Sequence, residues 1–330
     1  MNPRAPACPA HPEAPLRPAG VRAKDRFWGR DATTVFTYSR CPDCATWVLD
    51  PRPPPSEMGR YYGGYYPEQE LAYRRKAWGR GKPRLVLGVD GARAVQAKKS
   101  LQNLGLQWGP SVRVLDAGCG VGGFLAGLHA ETGASVLGVD FNPTCRTFAR
   151  EVYGVEVQSG ELADQKLPDG HFDVVTTWHC LEHTFDPQAE LAELRRITRP
   201  GGYLLIEVPS PGVLARLFRG RWFFLQAPTH LFHFTPGGLK KLLVSGGWDI
   251  RQVKRPWLPS EWAGSVLMAL GVHGFVPGVM YGPGAKGALL RILFFFLMVL
   301  DLPLTALLAL LGSSGGLRSI AQKPAAAEAK

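Results

Sequence analysis

The chain has 330 residues, 45% of them apolar, six cysteines and a formal net charge of +11. That length fits one large or two smaller globular domains, and the apolar fraction is that of an ordinary folded protein. The N-terminus lacks the continuous apolar core of a secretory signal, so the cysteines are read as reduced rather than as a disulfide framework. No recognition module accompanies the basic excess, so nucleic acid is not an expected partner.

The charge is unevenly spread. Residues 1–110 hold 18 Lys/Arg against 9 Asp/Glu, whereas residues 111–256 hold 15 of each. Nine basic residues fall between 74 and 99, with Asp90 alone opposing them. Such a block is a solvated surface, or one that meets anionic lipid or a phosphate-bearing substrate.

Residues 1–56 form a first module. Cys8-Pro-Ala-His11 and Cys41-Pro-Asp-Cys44 place two pairs of soft ligands, each on a two-residue spacer. That set suits tetrahedral zinc, so Cys8, His11, Cys41 and Cys44 are the expected metal ligands of a structural site. Residues 57–110 follow as a Tyr-rich and basic helical linker or cap, opening on Tyr-Tyr-Gly-Gly-Tyr-Tyr at 61–66.

Residues 111–256 alternate as α/β folds do. Strands are expected near 112–116, 135–140, 155–158, 173–177, 203–208 and 248–254. Helices are expected near 122–132, 143–152, 187–198 and 236–246, the last capped by Thr235 and started by Pro236. Gly201-Gly202 reads as the turn between the third helix and the strand after it.

Val114 to Gly123 is the densest signal: a strand runs into a glycine turn and then a helix. Glycines let backbone approach a ligand where a Cβ would clash, and the helix start points free N–H groups into the same space. Gly118, Gly120 and Gly123 formally fit a dinucleotide pattern. Asp116 argues otherwise, because a carboxylate beside that turn repels a pyrophosphate and attracts an ammonium and a sulfonium. Asp140, ending the next strand, is placed for ribose hydroxyls. A nicotinamide oxidoreductase is therefore the rival reading.

Four motifs lie in order: the glycine turn, Asp140, Trp-His-Cys-Leu-Glu-His at 178–183, and Arg-Pro-Gly-Gly-Tyr-Leu-Leu-Ile-Glu-Val-Pro at 199–209. Together they resemble the class I S-adenosylmethionine-dependent methyltransferases, most nearly the ubiquinone-biosynthesis O-methyltransferase group. The resemblance implies a Rossmann-like α/β sheet whose last strand is residues 316–322, within the tail 315–330. It implies S-adenosyl-L-methionine as cofactor, with Asp116, Gly118, Cys119, Gly120 and Gly122 at its methionine end and Asp140 at the ribose. Phe141, Glu161, Leu162 and Trp178 are expected around the remainder, with Cys119 a space-filler rather than a nucleophile. His11 stands where the group usually has a cysteine, and His179 where it has a metal-binding carboxylate, which puts magnesium in doubt.

Methyl transfer to a hydroxyl gains from a general base, and histidine titrates in the useful range. Glu182 and His183 in the first cluster, and His230 and His233 in Ala227–Pro236, are the catalytic candidates. The reading is a cytoplasmic methyltransferase acting on a lipid-linked, phenolic or sugar hydroxyl. C- or N-methylation, and a noncatalytic scaffold keeping the fold, stay open.

Residues 257–314 form an apolar insertion. Ile292 to Leu311 is 20 residues, about a bilayer's span. Asp301 and Pro303 are expected to split it into two short arms of a bent hairpin lying in one leaflet, with residues 263–281 too rich in glycine for a good helix. A single crossing would strand the last strand outside, so the alternative to the hairpin is that 263–281 and 289–311 cross together and return. Peripheral or monotopic contact with the inner face of the membrane is thus expected, with an oligomer interface as the other use of the apolar surface.

Overall fold

A computed structural model describes residues 6–62, 66, 68–78 and 83–325. Gly63, Gly64 and Tyr65 of the tyrosine turn, and Arg80 and Lys82 of the basic run, lie outside the described residues.

Eleven strands are described among these residues: β1 (Arg17–Ala23), β2 (Phe36–Arg40), β3 (Trp47–Leu49), β4 (Arg113–Ala117), β5 (Ser135–Asp140), β6 (Glu156–Ser159), β7 (Phe172–Trp178), β8 (Thr198–Pro209), β9 (Phe232–His233), β10 (Asp249–Lys254) and β11 (Gly316–Gln322). The helices are α1 (Pro55–Tyr62), α2 (Glu68–Trp78), α3 (Pro83–Gln102), α4 (Gly123–Thr132), α5 (Pro143–Phe148), α6 (Pro187–Ile197), α7 (Val213–Phe218), α8 (Pro236–Ser245), α9 (Glu261–Ala269) and α10 (Gly284–Leu310).

Seven strands form one sheet in the order β10-β11-β8-β7-β4-β5-β6. The five from β8 to β6 run parallel, and β11 is antiparallel to both neighbours. The central strands are buried on both faces and read as near-continuous apolar runs, as parallel strands must. The order reverses between β4 and β7, so a crevice opens beyond their C-terminal ends.

Local chemistry sets the helix starts. Asp186 caps α6 by accepting the N–H groups of Gln188 and Ala189 at 3.1 and 3.0 Å. Thr235 caps α8 through Gly238 N–H at 3.1 Å, with Pro236 in the first turn as expected.

Three expectations are corrected. β8 begins at Thr198, so Gly201-Gly202 lie within the strand, where the pairing with β7 shifts register, and do not precede it. Residues 261–269 form α9 despite the glycines nearby, because Asp301 caps its start. α10 runs unbroken through Asp301 and Pro303. The missing N–H of Pro303 faces the exposed side, and burial of Asp301 pins the helix on the other.

The second sheet is β1-β2-β3-β9, antiparallel throughout. Its fourth strand comes from residues 232–233, not from the N-terminal module. Trp47 pairs with His233 and Val48 with Phe232, which ties that module to the core.

Candidate active site

Gly118, Gly120 and Gly122 all take left-handed φ values of 72°, 54° and 79°. Only glycine does so freely. A Cβ on Gly118 would land on the Cys180 sulfur, and one on Gly120 on the Tyr66 hydroxyl. The turn is held from behind: Gly118 and Cys119 donate to the Val139 carbonyl at 2.8 and 3.1 Å. Gly120 N–H donates to Asp140 Oδ2 at 2.8 Å, and Asn142 N–H to Oδ1 at 2.9 Å. The Cys145 thiol is a third partner of this carboxyl, which has four lone-pair positions and so keeps one for a ligand hydroxyl.

Asp116 is buried at the end of β4 and accepts the Thr176 hydroxyl at 2.6 Å. Burial pushes its carboxyl up to about 8, so it is protonated at neutral pH until a cation approaches. Cys119 is buried and its thiol is driven well above the usual range by burial, which makes it inert.

The other expected cofactor residues divide. Phe141 is exposed and meets Tyr62 edge-on at 5.5 Å. Leu162 is buried in the main core, and Glu161 is exposed beside it. Trp178 is packed against Phe124, with the guanidinium groups of Arg93 and Arg318 over its ring at 5.2 and 5.1 Å.

Glu182, His183 and His230 come together: one ligand atom from each lies within 4.8 Å of the others. Glu182 is fully buried, and neither carboxylate oxygen has a hydrogen-bond partner among the described residues, although His179 Nδ1 stands 3.6 Å away. His183 Nδ1 lies 2.8 Å from the Thr229 carbonyl and 3.1 Å from the Tyr62 hydroxyl. His230 Nδ1 lies 2.8 Å from the Phe224 carbonyl. Carbonyl partners at Nδ1 fix both protons there and leave each Nε2 as an acceptor. Burial lowers both imidazoles, His230 strongly, so both stay neutral. A buried carboxylate and two neutral imidazoles would fit a divalent cation as three ligands with open positions.

His233 lies behind His230, with ring centroids 5.6 Å apart. It is fully buried in the second sheet among Tyr38, Trp47 and Trp222, and burial pulls it down to about 3. Its surroundings are those of a packing residue.

The sequence reading missed Glu207. This buried β8 carboxylate takes His179 at 3.0 Å, Arg93 at 3.4 Å and Arg318 at 2.5 Å. The His179 hydrogen bond and the Arg318 and Arg93 guanidiniums hold it well below the usual carboxylate range despite burial. The signal was a lone charge inside Leu-Leu-Ile-Glu-Val-Pro. It also accounts for His179, which bridges the two carboxylates, with Nε2 3.0 Å from Glu207 and Nδ1 3.6 Å from Glu182. Tyr62 was legible only as part of the tyrosine turn.

Cys8, His11, Cys41 and Cys44 lie together, with one ligand atom from each within 4.8 Å of the rest. The Cys8–Cys44 and Cys41–His11 separations are 3.6 and 3.8 Å, close to the roughly 3.8 Å edge that a tetrahedron with 2.3 Å zinc–sulfur bonds requires. The donor set and spacing fit zinc. The group packs on the core: Thr235 donates to the Cys44 carbonyl, and Gln188 to the Pro9 carbonyl at 2.7 Å.

Comparison with known proteins agrees with this geometry. A methyltransferase-domain family model matches residues 72–253, a little over half the chain. The ubiquinone biosynthesis O-methyltransferase of Pseudomonas aeruginosa is 31% identical over 182 residues, 53% of this chain and 70% of that protein. The "probable S-adenosylmethionine-dependent methyltransferase" of Mycolicibacterium smegmatis is 32% identical over 143 residues. That match takes in 42% of this chain and spans about half of the relative, 52% of its length. In fold, the crystal structure of a "putative sarcosine dimethylglycine methyltransferase" from Galdieria sulphuraria superposes with a TM-score of 0.51 at 15% identity, covering 71% of this chain and 86% of that one. With the reversal between β4 and β7, the glycine turn opening there and a family match spanning both, the chain belongs to the S-adenosylmethionine-dependent methyltransferases.

Proposed function

We propose that this chain transfers the methyl group of S-adenosylmethionine to a hydroxyl of a lipid-linked, phenolic or sugar acceptor. The observation that carries the reading is the Glu182–His183–His230 cluster, joined through Tyr62 to Phe141 directly after Asp140. The two halves of a transfer site thus meet at one sheet edge.

The sulfonium supplies an already activated methyl, so the protein's task is chiefly alignment. The glycine turn and Asp140 hold the donor, and Asp116 balances its positive charge. His183 and His230 present neutral Nε2 atoms to take the acceptor proton. Their lowered basicity favours a second contribution: Glu182, His183 and His230 would hold a divalent cation that polarises the acceptor oxygen.

An acceptor with an apolar tail is supported by the ring contacts behind His230. Phe224, whose carbonyl holds His230, touches Phe223 at 5.3 Å. Phe223 touches Phe275 at 4.8 Å, and Phe275 touches Phe294 of α10 at 5.2 Å. The apolar insertion therefore backs directly onto the proposed acceptor pocket, and we read it as a peripheral contact with the inner face of a membrane. Zinc on Cys8, His11, Cys41 and Cys44 is read as structural.

Calorimetric titration with S-adenosylhomocysteine tests the cofactor half. Saturable binding, lost in Asp140→Ala, is expected. A folded sample that does not bind would overturn the enzyme reading in favour of a noncatalytic scaffold.

A further inference from the structure

The proposed chemistry leaves unused the outward face of the insertion. α10 is long and apolar enough to cross a membrane by length and composition. Yet one strip of it is buried from end to end: Gly287, Phe294, Asp301, Thr305 and Leu308. Asp301 is wholly buried and accepts the N–H groups of Ser260, Trp262 and Ala263 at 2.7, 2.8 and 2.9 Å. Trp257 Nε1 donates to the Thr305 hydroxyl at 3.0 Å. A helix of this length, roughly 40 Å, that packs on protein along one whole side cannot also be ringed by lipid.

The opposite strip is bare. Leu289, Ile292, Phe296, Val299 and Leu310 are 64–86% exposed. Asp301 is the sole charge between 292 and 311, and it points inward. A helix buried on one side and apolar on the other belongs in the plane of an interface.

Charge identifies that interface. At the seam where the N-terminal module meets the insertion, Gly274 N–H donates to the Arg26 carbonyl at 2.8 Å and Val276 N–H to the Phe27 carbonyl at 3.1 Å. Arg26 Nη1 lies 3.0 Å from His273 Nε2. Gly220, beside Arg221, packs on the end of β1 so tightly that a Cβ there would meet the Arg22 carbonyl, and Arg221 and Lys24 add their fields to Arg26 and His273 respectively. The carboxylate among them, Asp25, is buried and committed to four backbone N–H groups, those of Trp28, Gly29, Arg30 and Asp31. Next to Arg221 in the chain, Arg219 is exposed, and Leu217 is 69% exposed.

We propose that the chain docks flat on an anionic bilayer leaflet, with the outward strip of α10 sunk among the acyl chains and the Lys24, Arg26 and Arg221 side chains against lipid phosphates. A second copy would bring matching cations to this surface, whereas an anionic leaflet brings their complement. The proposal rests on the membrane contact read above and fixes its pose.

The test is flotation of the full chain with phosphatidylcholine vesicles, with and without phosphatidylglycerol, at low and high salt. Wild type is expected to float with the anionic vesicles and to lose about tenfold in affinity when either charge or low salt is removed. Ile292→Ser/Phe296→Ser/Val299→Ser is expected to lose about a hundredfold or more. Arg26→Gln/Arg221→Gln is expected to lose roughly tenfold on anionic vesicles alone. S-adenosylhomocysteine affinity, measured on each sample, is expected to stay unchanged. Wild type that binds this ligand yet never floats would overturn both the pose and the membrane contact. Flotation that all variants share would overturn the pose and leave the contact. Variants that convert a dimer to a monomer without any vesicle binding would assign the face to a second copy. The wild-type lipid and salt series alone decides the matter if the triple variant does not fold.

Discussion

The glycine turn and the histidine cluster occupy one edge of one sheet, yet they are built in opposite ways. The turn satisfies itself locally: Val139 and Asp140, within 25 residues of it, receive its backbone N–H groups. The histidine cluster is assembled from distant pieces. Tyr38 of β2 donates to the His230 carbonyl at 2.8 Å, Leu231 N–H donates to the Glu182 carbonyl at 2.8 Å, and β9 hangs on β3. Its buried carboxylate has no hydrogen bond among the described residues beyond the 3.6 Å approach of His179 Nδ1. A self-satisfied turn is rigid before ligand arrives, whereas a half-satisfied polar pocket depends on what its neighbours and its ligand supply. In the proposed site the turn would be pre-formed for the donor, and the histidine cluster would be completed by support from outside.

That contrast can be broken most sharply at His230. His230→Ala or Glu182→Gln should lower methyl transfer by about a hundredfold to ten-thousandfold, while calorimetry shows S-adenosylhomocysteine binding within about twofold of wild type. Equal losses in both would mean that the halves are not separate. Gly118→Val should do the reverse, weakening the cofactor by about a hundredfold or more because its Cβ meets the Cys180 sulfur. Cys41→Ser should release zinc, read by elemental analysis. It should lower the melting temperature by on the order of 10 °C, with the histidine half loosened first and the cofactor affinity kept.

The smallest effect is in pH. Asp116 is protonated in the free protein up to about 8. A cationic cofactor favours its carboxylate, so binding expels a proton. Affinity for S-adenosylmethionine should therefore tighten by up to about tenfold per unit from pH 6 to 8, then level off. Asp116→Asn should flatten the profile, and calorimetry in buffers of different ionisation heat would count the proton. The native state holds a proton on Asp116 that the unfolded chain releases. Stability of the free protein should thus fall as pH rises toward 8.

The seven-stranded sheet was largely legible because its signals are local: apolar runs between glycine turns and capped helix starts. The cofactor turn lies within ten consecutive residues, and its glycines are forced by backbone geometry. The acceptor side was legible only as residue types. Nothing near His230 and His233 in the sequence says that β9 pairs with β3, the pairing that sets His233 among Tyr38, Trp47 and Trp222 with its ring 5.6 Å from His230. Glu207 gathers its partners from α3, from His179 just after β7 and from β11, each more than 25 residues away. Pro303 reads locally as a helix breaker, but packing of Asp301 and Thr305 outweighs one lost hydrogen bond.

The place of β11 has a consequence for how the molecule is made. It lies between β8 and β10, yet it follows every other described element. During synthesis β8 presents an open edge until α10 has emerged and turned back, and such edges recruit other chains. A helix that settles early on a surface would hold its two ends on one side and deliver β11 to the waiting gap. A helix threaded through a bilayer would leave β10 unpaired and the sheet unfinished. The insertion thus governs the order of assembly, and substitutions on its buried strip should appear first as aggregation of newly made chains.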